Sequence, residues 1–436
     1  MLINCLLTKM QNFLTPIAEK SFVLKFLDKF IFASICLVIF SSIFAPSDTI
    51  GYFAIIAIFL TFVKLITNKN YKFEYNKFEL CLIFYLAFVL ISVAGSSLFT
   101  LSLKGVLKTL VYLGYYVSCT IYLKDYRQDI FKFLGLFAIC AGCESIVGLL
   151  QNSTHVGELA GWQDVSNLNP EQVMTRVYGT LKPLNPNLFG GYLLSLIPVV
   201  YGATALFIYK KQNAFAITSI VFSLLITLVM IMSGCRGVFV AFPLMMLVPA
   251  FVLIKRVPKS IKLMLYKLYA AICGLGILAI MSSTSLKARV LSIFTLRGDS
   301  STSFRFNVYQ AAIKMFQDNP FLGIGVGNQN FRETYGLYMK TGYDALSAYN
   351  IYLETAVESG IFALIAFVSF IILMVKDALK TILKSKNIEK VIILTVALTS
   401  IIGILAHGIV DTIYFRPQLQ FVFWFMVAAI RVFATK

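Results

Sequence analysis

Residues 186–209 read PNLFGGYLLSLIPVVYGATALFIY, and residues 214–233 read AFAITSIVFSLLITLVMIMS. Neither run holds a charged residue, and Lys210 and Lys211 lie between them. About 20 apolar residues in a helix cross the hydrocarbon core of a bilayer. The runs are continuously apolar and lack the alternation of barrel strands, so they read as helices. The pattern extends in both directions, over 30–46, 50–67, 79–98, 105–123, 131–151, 237–254, 263–281, 349–375, 391–409 and 413–434. Of the 436 residues 59% are hydrophobic and 13% charged, where soluble domains carry roughly 25% charged residues. The sequence therefore describes an all-α polytopic membrane protein with about twelve transmembrane helices.

The net charge of +18 raises the question of nucleic acid, and its distribution answers it. With the N-terminus inside, the inner segments hold 25 of the 38 Lys and Arg. The acidic residues split eight inside to twelve outside. By the positive-inside rule both termini face the cytoplasm. The basic excess is a topology signal, with contact to anionic headgroups, and no nucleic-acid partner is expected. Residues 1–29 are basic and mildly amphipathic, and read as a cytoplasmic surface segment. Residues 30–281 hold the first nine helices and an outer loop at 152–185. Residues 282–348 form a large extracytoplasmic loop, and 349–436 hold the last three helices. The eight cysteines fall almost wholly in or beside apolar spans, which argues against a disulfide framework. Cys140-Ala-Gly-Cys143 has metal-site spacing, but in a membrane helix it reads as a packing face of small residues.

The polar chemistry gathers at the outer boundary. Both long loops carry aromatic residues, among them Trp162, Tyr178, Phe304 and Tyr309. The spacing of Phe304, Val308, Ala311, Ala312 and Met315 predicts an amphipathic helix on the outer interface, which Asp318-Asn319-Pro320 ends. Arg305 in its first turn is either an anion ligand at the positive end of the helix dipole or a solvated arginine. Gly323-Ile-Gly325-Val-Gly327-Asn328 lacks the spacing of a phosphate fingerprint and reads as a turn back to the membrane. Arg236, in Ser233-Gly234-Cys235-Arg236-Gly237, runs against the charge trend. It is functional or a snorkelling anchor. Asn185 caps the helix that Pro186 begins, and this accounts for the Asn-Pro-Asn run beside a weaker sugar-binding role for Asn187.

Asn350, Glu354 and Glu358 share one helical stripe. Two buried carboxylates need partners, and Arg236 and Arg305 are the expected ones, for a site or for a structural ion network. His407 and Asp411, four apart, are either a general base with its orienting carboxylate or an ordinary satisfied pair.

In these residues the chain resembles the O-antigen ligase and polymerase superfamily of multi-pass bacterial membrane proteins. The resemblance runs from about Arg176 to Trp424. It rests on Arg176 before Asn185-Pro186-Asn187, on Ser233 to Gly237, on Arg305 before Asp318 to Gly325, and on Tyr349-Asn350 before Gly360. The family's ligases carry a catalytic histidine where this chain has Tyr349, whose phenol is a poor base at neutral pH. Leu346 to Tyr349, Glu354, Glu358, His407-Gly408, Asp411-Thr412 and Arg416-Pro417 are most similar to the IctB-like branch, which carries a bicarbonate-transporter name. The resemblance implies a metal-independent glycosyltransferase of the bacterial cytoplasmic membrane, without a cofactor. Its donor would be a glycan on polyprenyl diphosphate and its acceptor a lipid-linked sugar or a protein hydroxyl. Arg176, Arg236 and Arg305 would hold the diphosphate, with Asn187, Asn350, Glu358 and Asp411 lining the site. Glu354 is the first candidate for the base and His407 the second, with Tyr349 in a positioning role. The alternatives are an anion transporter and a noncatalytic glycolipid-binding protein.

Overall fold

The computed structural model describes residues 2–434 apart from 70, 73, 154–175, 257–258 and 292–299. The described residues are predominantly helical and include no β-strand. A first helix, α1 (Leu2–Glu19), precedes the bundle. Then come α2 (Leu27–Ser41), α3 (Ser47–Thr67), α4 (Lys77–Gly95), α5 (Phe99–Asp125), α6 (Ile130–Ser153), α7 (Pro186–Tyr209), α8 (Asn213–Met232), α9 (Arg236–Arg256) and α10 (Lys259–Ser282). Three helices of the long loop follow: α11 (Thr284–Leu291), α12 (Ser300–Asp318) and α13 (Asn328–Tyr335). The chain closes with α14 (Ile351–Lys384), α15 (Ile388–His407) and α16 (Pro417–Ala434).

Each of the twelve expected spans coincides with a helix. Among the described residues ten helices are long and apolar enough to cross a membrane by themselves. The other two spans correspond to α2, of 15 residues, and α10. Several boundaries differ from the sequence reading, among them the end of α2, the start of α5 and two near the C-terminus. Helix α14 continues past 375 to Lys384 because Ala378 and Ile382 still find buried positions. The last helix starts at Pro417 rather than 413, since residues 413–415 form a 3₁₀ turn and proline suits a first helical position.

Helix α16 is the axis of the bundle. Every residue from Gln418 to Phe433 is buried, against α5, α7, α14 and α15. The peripheral helices instead leave one face of large apolar side chains uncovered, such as Tyr52 and Phe59 on α3 and Phe84 on α4. That combination suits a bundle solvated by lipid.

A second, smaller core lies over one end of the bundle. Val308, Ala311, Ala312 and Met315 of α12 pack with Phe331, Tyr335, Ala345, Ala348 and Val357. The expected amphipathic helix is therefore present, but its apolar stripe is used against protein rather than against the membrane interface. Beneath it α14 breaks at Gly360 (φ 79°, ψ 175°). A break orphans carbonyls in the turn before it. Here the Ile324 N–H donates to Val357 O and the Gly325 N–H to Glu358 O, each at 2.9 Å, and the Ile361 N–H donates to Pro320 O. The glycine-rich segment is thus built into the broken helix. A Cβ on Gly360 would sit 2.0 Å from Phe321 O, and Gly323 and Gly325 also hold positive φ.

Candidate functional site

The end of the bundle under this second core collects the polar residues. Asn185 caps α7 as expected, its side chain accepting the Asn187 and Leu188 N–H groups at 2.7 and 3.4 Å. Its neighbour Asn187 is left to bridge. It accepts Arg176 Nη2 at 2.5 Å and donates from Nδ2 to Asp411 Oδ2 at 3.2 Å. The same Asp411 oxygen lies 3.6 Å from Arg305 Nη2. The Arg305 guanidinium stands over the Tyr349 ring, 5.7 Å from its centroid. Arg176, Asn187, Asp411, Arg305 and Tyr349 therefore form one continuous chain of contacts, drawn from five separate parts of the sequence.

Tyr349 holds the left-handed conformation, φ 50°, uncommon for a residue with a side chain. Its carbonyl accepts the Tyr309 hydroxyl at 3.3 Å, and Phe304 meets its ring edge-on. Asn350 then starts α14. Its side chain accepts the Tyr352 and Leu353 N–H groups and donates to Ile409 O. Asn350 is accordingly a cap and a tie to the α15–α16 connection.

The expected pairing of Glu354 and Glu358 with arginines is not what the fold builds. Glu354 Oε2 accepts the Ala348 N–H at 3.0 Å, and Glu358 Oε1 accepts the Gly327 N–H at 2.9 Å. Both are buried. The first carboxylate holds the loop that presents Tyr349, and the second holds the glycine-rich segment. Position on a stripe says which face a residue occupies, but not which neighbour that face meets.

The expected His407–Asp411 pair also needs correction. Asp411 directs its carboxylate to Asn187, Arg305 and its own neighbour's N–H. His407 Nε2 instead meets Cys235 Sγ at 3.3 Å, and both residues are buried. The other ring nitrogen, Nδ1, is buried with no hydrogen-bond partner among the described residues. Burial pushes the Cys235 thiol up. His407, by charge and hydrogen bond, and Arg176 outweigh it, so the thiol titrates below its ordinary value.

Two structural supports escaped the sequence reading. Glu144 and Gln151 of α6 hold the segment that follows Arg176. Gln151 Oε1 accepts the Tyr178 and Gly179 N–H groups, and Gln151 Nε2 donates to Gly179 O, all at 3.0 Å. Glu144 accepts the Thr180 N–H at 2.9 Å and the Thr180 hydroxyl. A carboxylate inside an apolar span was itself the signal. Trp162 lies outside the described residues.

The second omission is Arg289 on α11. Its Nε donates to Gly234 O at 3.1 Å, beside Ser233 O, which accepts Arg176 Nε at 2.8 Å. Burial and the neighbouring Arg176, Arg236 and Arg305 bring the Arg289 guanidinium down to about 9. Burial, with Arg236 and Arg305, lowers Arg176 as well, against Asp411. At about 9 the Arg289 guanidinium stays charged at neutral pH, with Arg176, Arg236 and Arg305 near it.

The family model described as O-antigen ligase matches residues 220–368. That stretch runs from α8 to just past the break in α14. It contains Arg236, Arg289, Arg305, Tyr349 and Glu354, while Arg176, Asn187, His407 and Asp411 lie on either side of it. No curated protein matches the chain.

Proposed function

We infer that this multi-pass membrane protein, whose residues 220–368 carry the O-antigen ligase domain, transfers a glycan from a polyprenyl diphosphate to an acceptor hydroxyl. The reaction takes place at the outer face of the cytoplasmic membrane, with both termini inside. The observation that carries this reading is the meeting of Arg176 and Arg289 at the turn before α9, which Arg236 begins, with Arg305 joined to Arg176 through Asp411 and Asn187. In the transfer the bond from the sugar C1 to the diphosphate oxygen breaks. A bond from C1 to the acceptor oxygen forms, and negative charge grows on the departing lipid diphosphate. Fixed guanidinium groups in a poorly solvated site stabilise that charge.

The acceptor hydroxyl must also lose a proton. Glu354 has its carboxylate engaged with the Ala348 N–H, which suits it to holding the 348–350 loop. His407 has a buried nitrogen without a partner among the described residues, oriented by a thiol on its opposite side. We assign the proton to His407 Nδ1, with Glu354 and Tyr349 as positioning residues. Arg305 is fixed from two sides, by Asp411 and by the Tyr349 ring.

The broken α14 is the feature that favours an anion transporter, since interrupted helices often make ion sites. In this chain the peptide groups at the break are taken up by 320–325, which leaves them occupied by protein. The test is glycan consumption from a lipid diphosphate donor in reconstituted membranes. Arg305→Lys keeps the charge but loses the planar fork, so transfer should fall roughly ten- to hundredfold, the equivalent of about 1.5–3 kcal/mol. Bicarbonate flux that depends on Arg236, with no lipid-linked glycan consumed, would overturn the assignment.

A further inference from the structure

We propose that Lys104 and Lys108 of α5 hold the headgroup phosphate of an anionic phospholipid, at the site end of the bundle but apart from its arginines. The two lysines are four residues apart, so they share one stripe of the helix. Both are exposed, and among the described residues neither side chain makes a hydrogen bond or an ion pair. Like charges at that spacing repel, and an ammonium at membrane depth is costly unless an anion meets it. Helix α5 has 27 residues, so it is about 40 Å long against a hydrocarbon core of about 30 Å. Lys104 and Lys108 lie about 8 and 14 Å along it from Phe99. Lys104 thus stands near the membrane boundary and Lys108 about one turn inside it, within reach of headgroups for a snorkelling ammonium.

The rest of the helix surface identifies the class of ligand. Ser102 and Gly105 face the protein at this height. The Ser102 hydroxyl accepts the Val326 N–H at 3.1 Å, and a Cβ on Gly105 would sit 2.3 Å from Val326 O. Leu103, Leu107 and Leu110 share the uncovered face with the lysines, at 42%, 54% and 39% exposure. A water-borne anion gains nothing from such leucines. A lipid lays its acyl chains on them and brings its phosphate to the ammonium groups above. Among the described residues no carboxylate pairs with either lysine. Two uncompensated ammonium groups favour a headgroup of net negative charge over a zwitterion, which carries its own cation.

The test is native mass spectrometry of the purified full-length protein in detergent, titrated separately with dioleoylphosphatidylglycerol, dioleoylphosphatidylcholine and a polyprenyl monophosphate. Wild type should take its first phosphatidylglycerol at least about fivefold more tightly than its first phosphatidylcholine. Lys104→Gln combined with Lys108→Gln should weaken that first event roughly ten- to thirtyfold, at about fivefold for each charge near the headgroups. Arginine at both positions keeps the charges and should stay within about twofold of wild type. Lys380→Gln combined with Lys384→Gln removes another exposed pair of the same spacing, at the far end of α14. It should also stay within about twofold, as expected for a screened surface charge. Wild-type affinity in the double glutamine variant at 104 and 108 overturns the inference. So does an equal loss in the variant at 380 and 384, which would mean diffuse attraction to a basic protein. Should the polyprenyl phosphate bind at Lys104 and Lys108 more than about tenfold more tightly than phosphatidylglycerol, the phospholipid assignment fails and the pair belongs to the lipid of the reaction. No arm measures glycan transfer, so the proposed function stands or falls separately.

Discussion

The two ends of the bundle treat buried positive charge in opposite ways. At the end away from the site, Lys64 lies between Asp28 and Asp125, at 2.5 and 2.6 Å. Nearby, Arg431 of the central helix meets Glu79 at 2.7 Å, and Glu79 also accepts the Tyr116 hydroxyl. These charges are neutralised within the protein, and they tie α2, α3 and α5, and α4, α5 and α16, to one another. At the site end, Arg176 and Arg289 are tethered to neutral carbonyls, and Asp411 stands 3.6 Å from Arg305. A carbonyl orients a guanidinium without cancelling its charge. The first arrangement stabilises a fold, and on the proposed function the second serves a negatively charged ligand.

The sharpest way to break this comparison is at His407. If Nδ1, without a partner among the described residues, takes the acceptor proton, His407→Gln should lower transfer by about 10²–10⁴-fold, the usual worth of a positioned base. Glu354→Gln should lose less, because an amide oxygen still accepts the Ala348 N–H. A larger loss in Glu354→Gln than in His407→Gln, measured on the same reconstituted membranes, would return the proton to the carboxylate.

The opposite end should show its effect in stability instead. Lys64→Met leaves two carboxylates without their shared partner. Removing one member of a buried pair costs about 3–5 kcal/mol. The lower end applies here, because Asp28 and Asp125 are each about one-third exposed. The thermal unfolding temperature should drop by several degrees, with activity per folded molecule unchanged. A variant of unchanged stability and lost activity would mean that the two ends do not divide the work in this way.

Tyr349→Phe should have the smallest effect. The ring beneath Arg305 is retained, and with it a cation–π contact of about 0.5–2 kcal/mol. Transfer should stay within roughly threefold of wild type, about 0.7 kcal/mol. Complete loss would give the phenol a chemical role and remove that role from His407.

Much of the site is legible in the sequence. Arg236 and Arg305 stand out because they are basic at the outer boundary, and Asn185 announces itself as a cap before Pro186. Arg289 does not stand out. Between Lys287 and the end of a short helix it looks like any interfacial cation, and its importance comes from meeting Gly234. Cys235 and His407 are separated by 172 residues, and no local pattern relates them.

What the sequence determined by itself is the set of helices, because apolar length acts over short stretches of chain. Which groups face one another was decided by the tertiary structure. Glu354 and Glu358 were expected to meet arginines, and they meet backbone N–H groups of 348 and 327. For Glu358 the cause is the break at Gly360, where residues 320–325 fill the ladder with their own peptide groups, and Glu354 instead meets the loop that leads into its own helix. Electrostatic preference names suitable partners for a charge, but packing decides which of them comes within hydrogen-bonding distance.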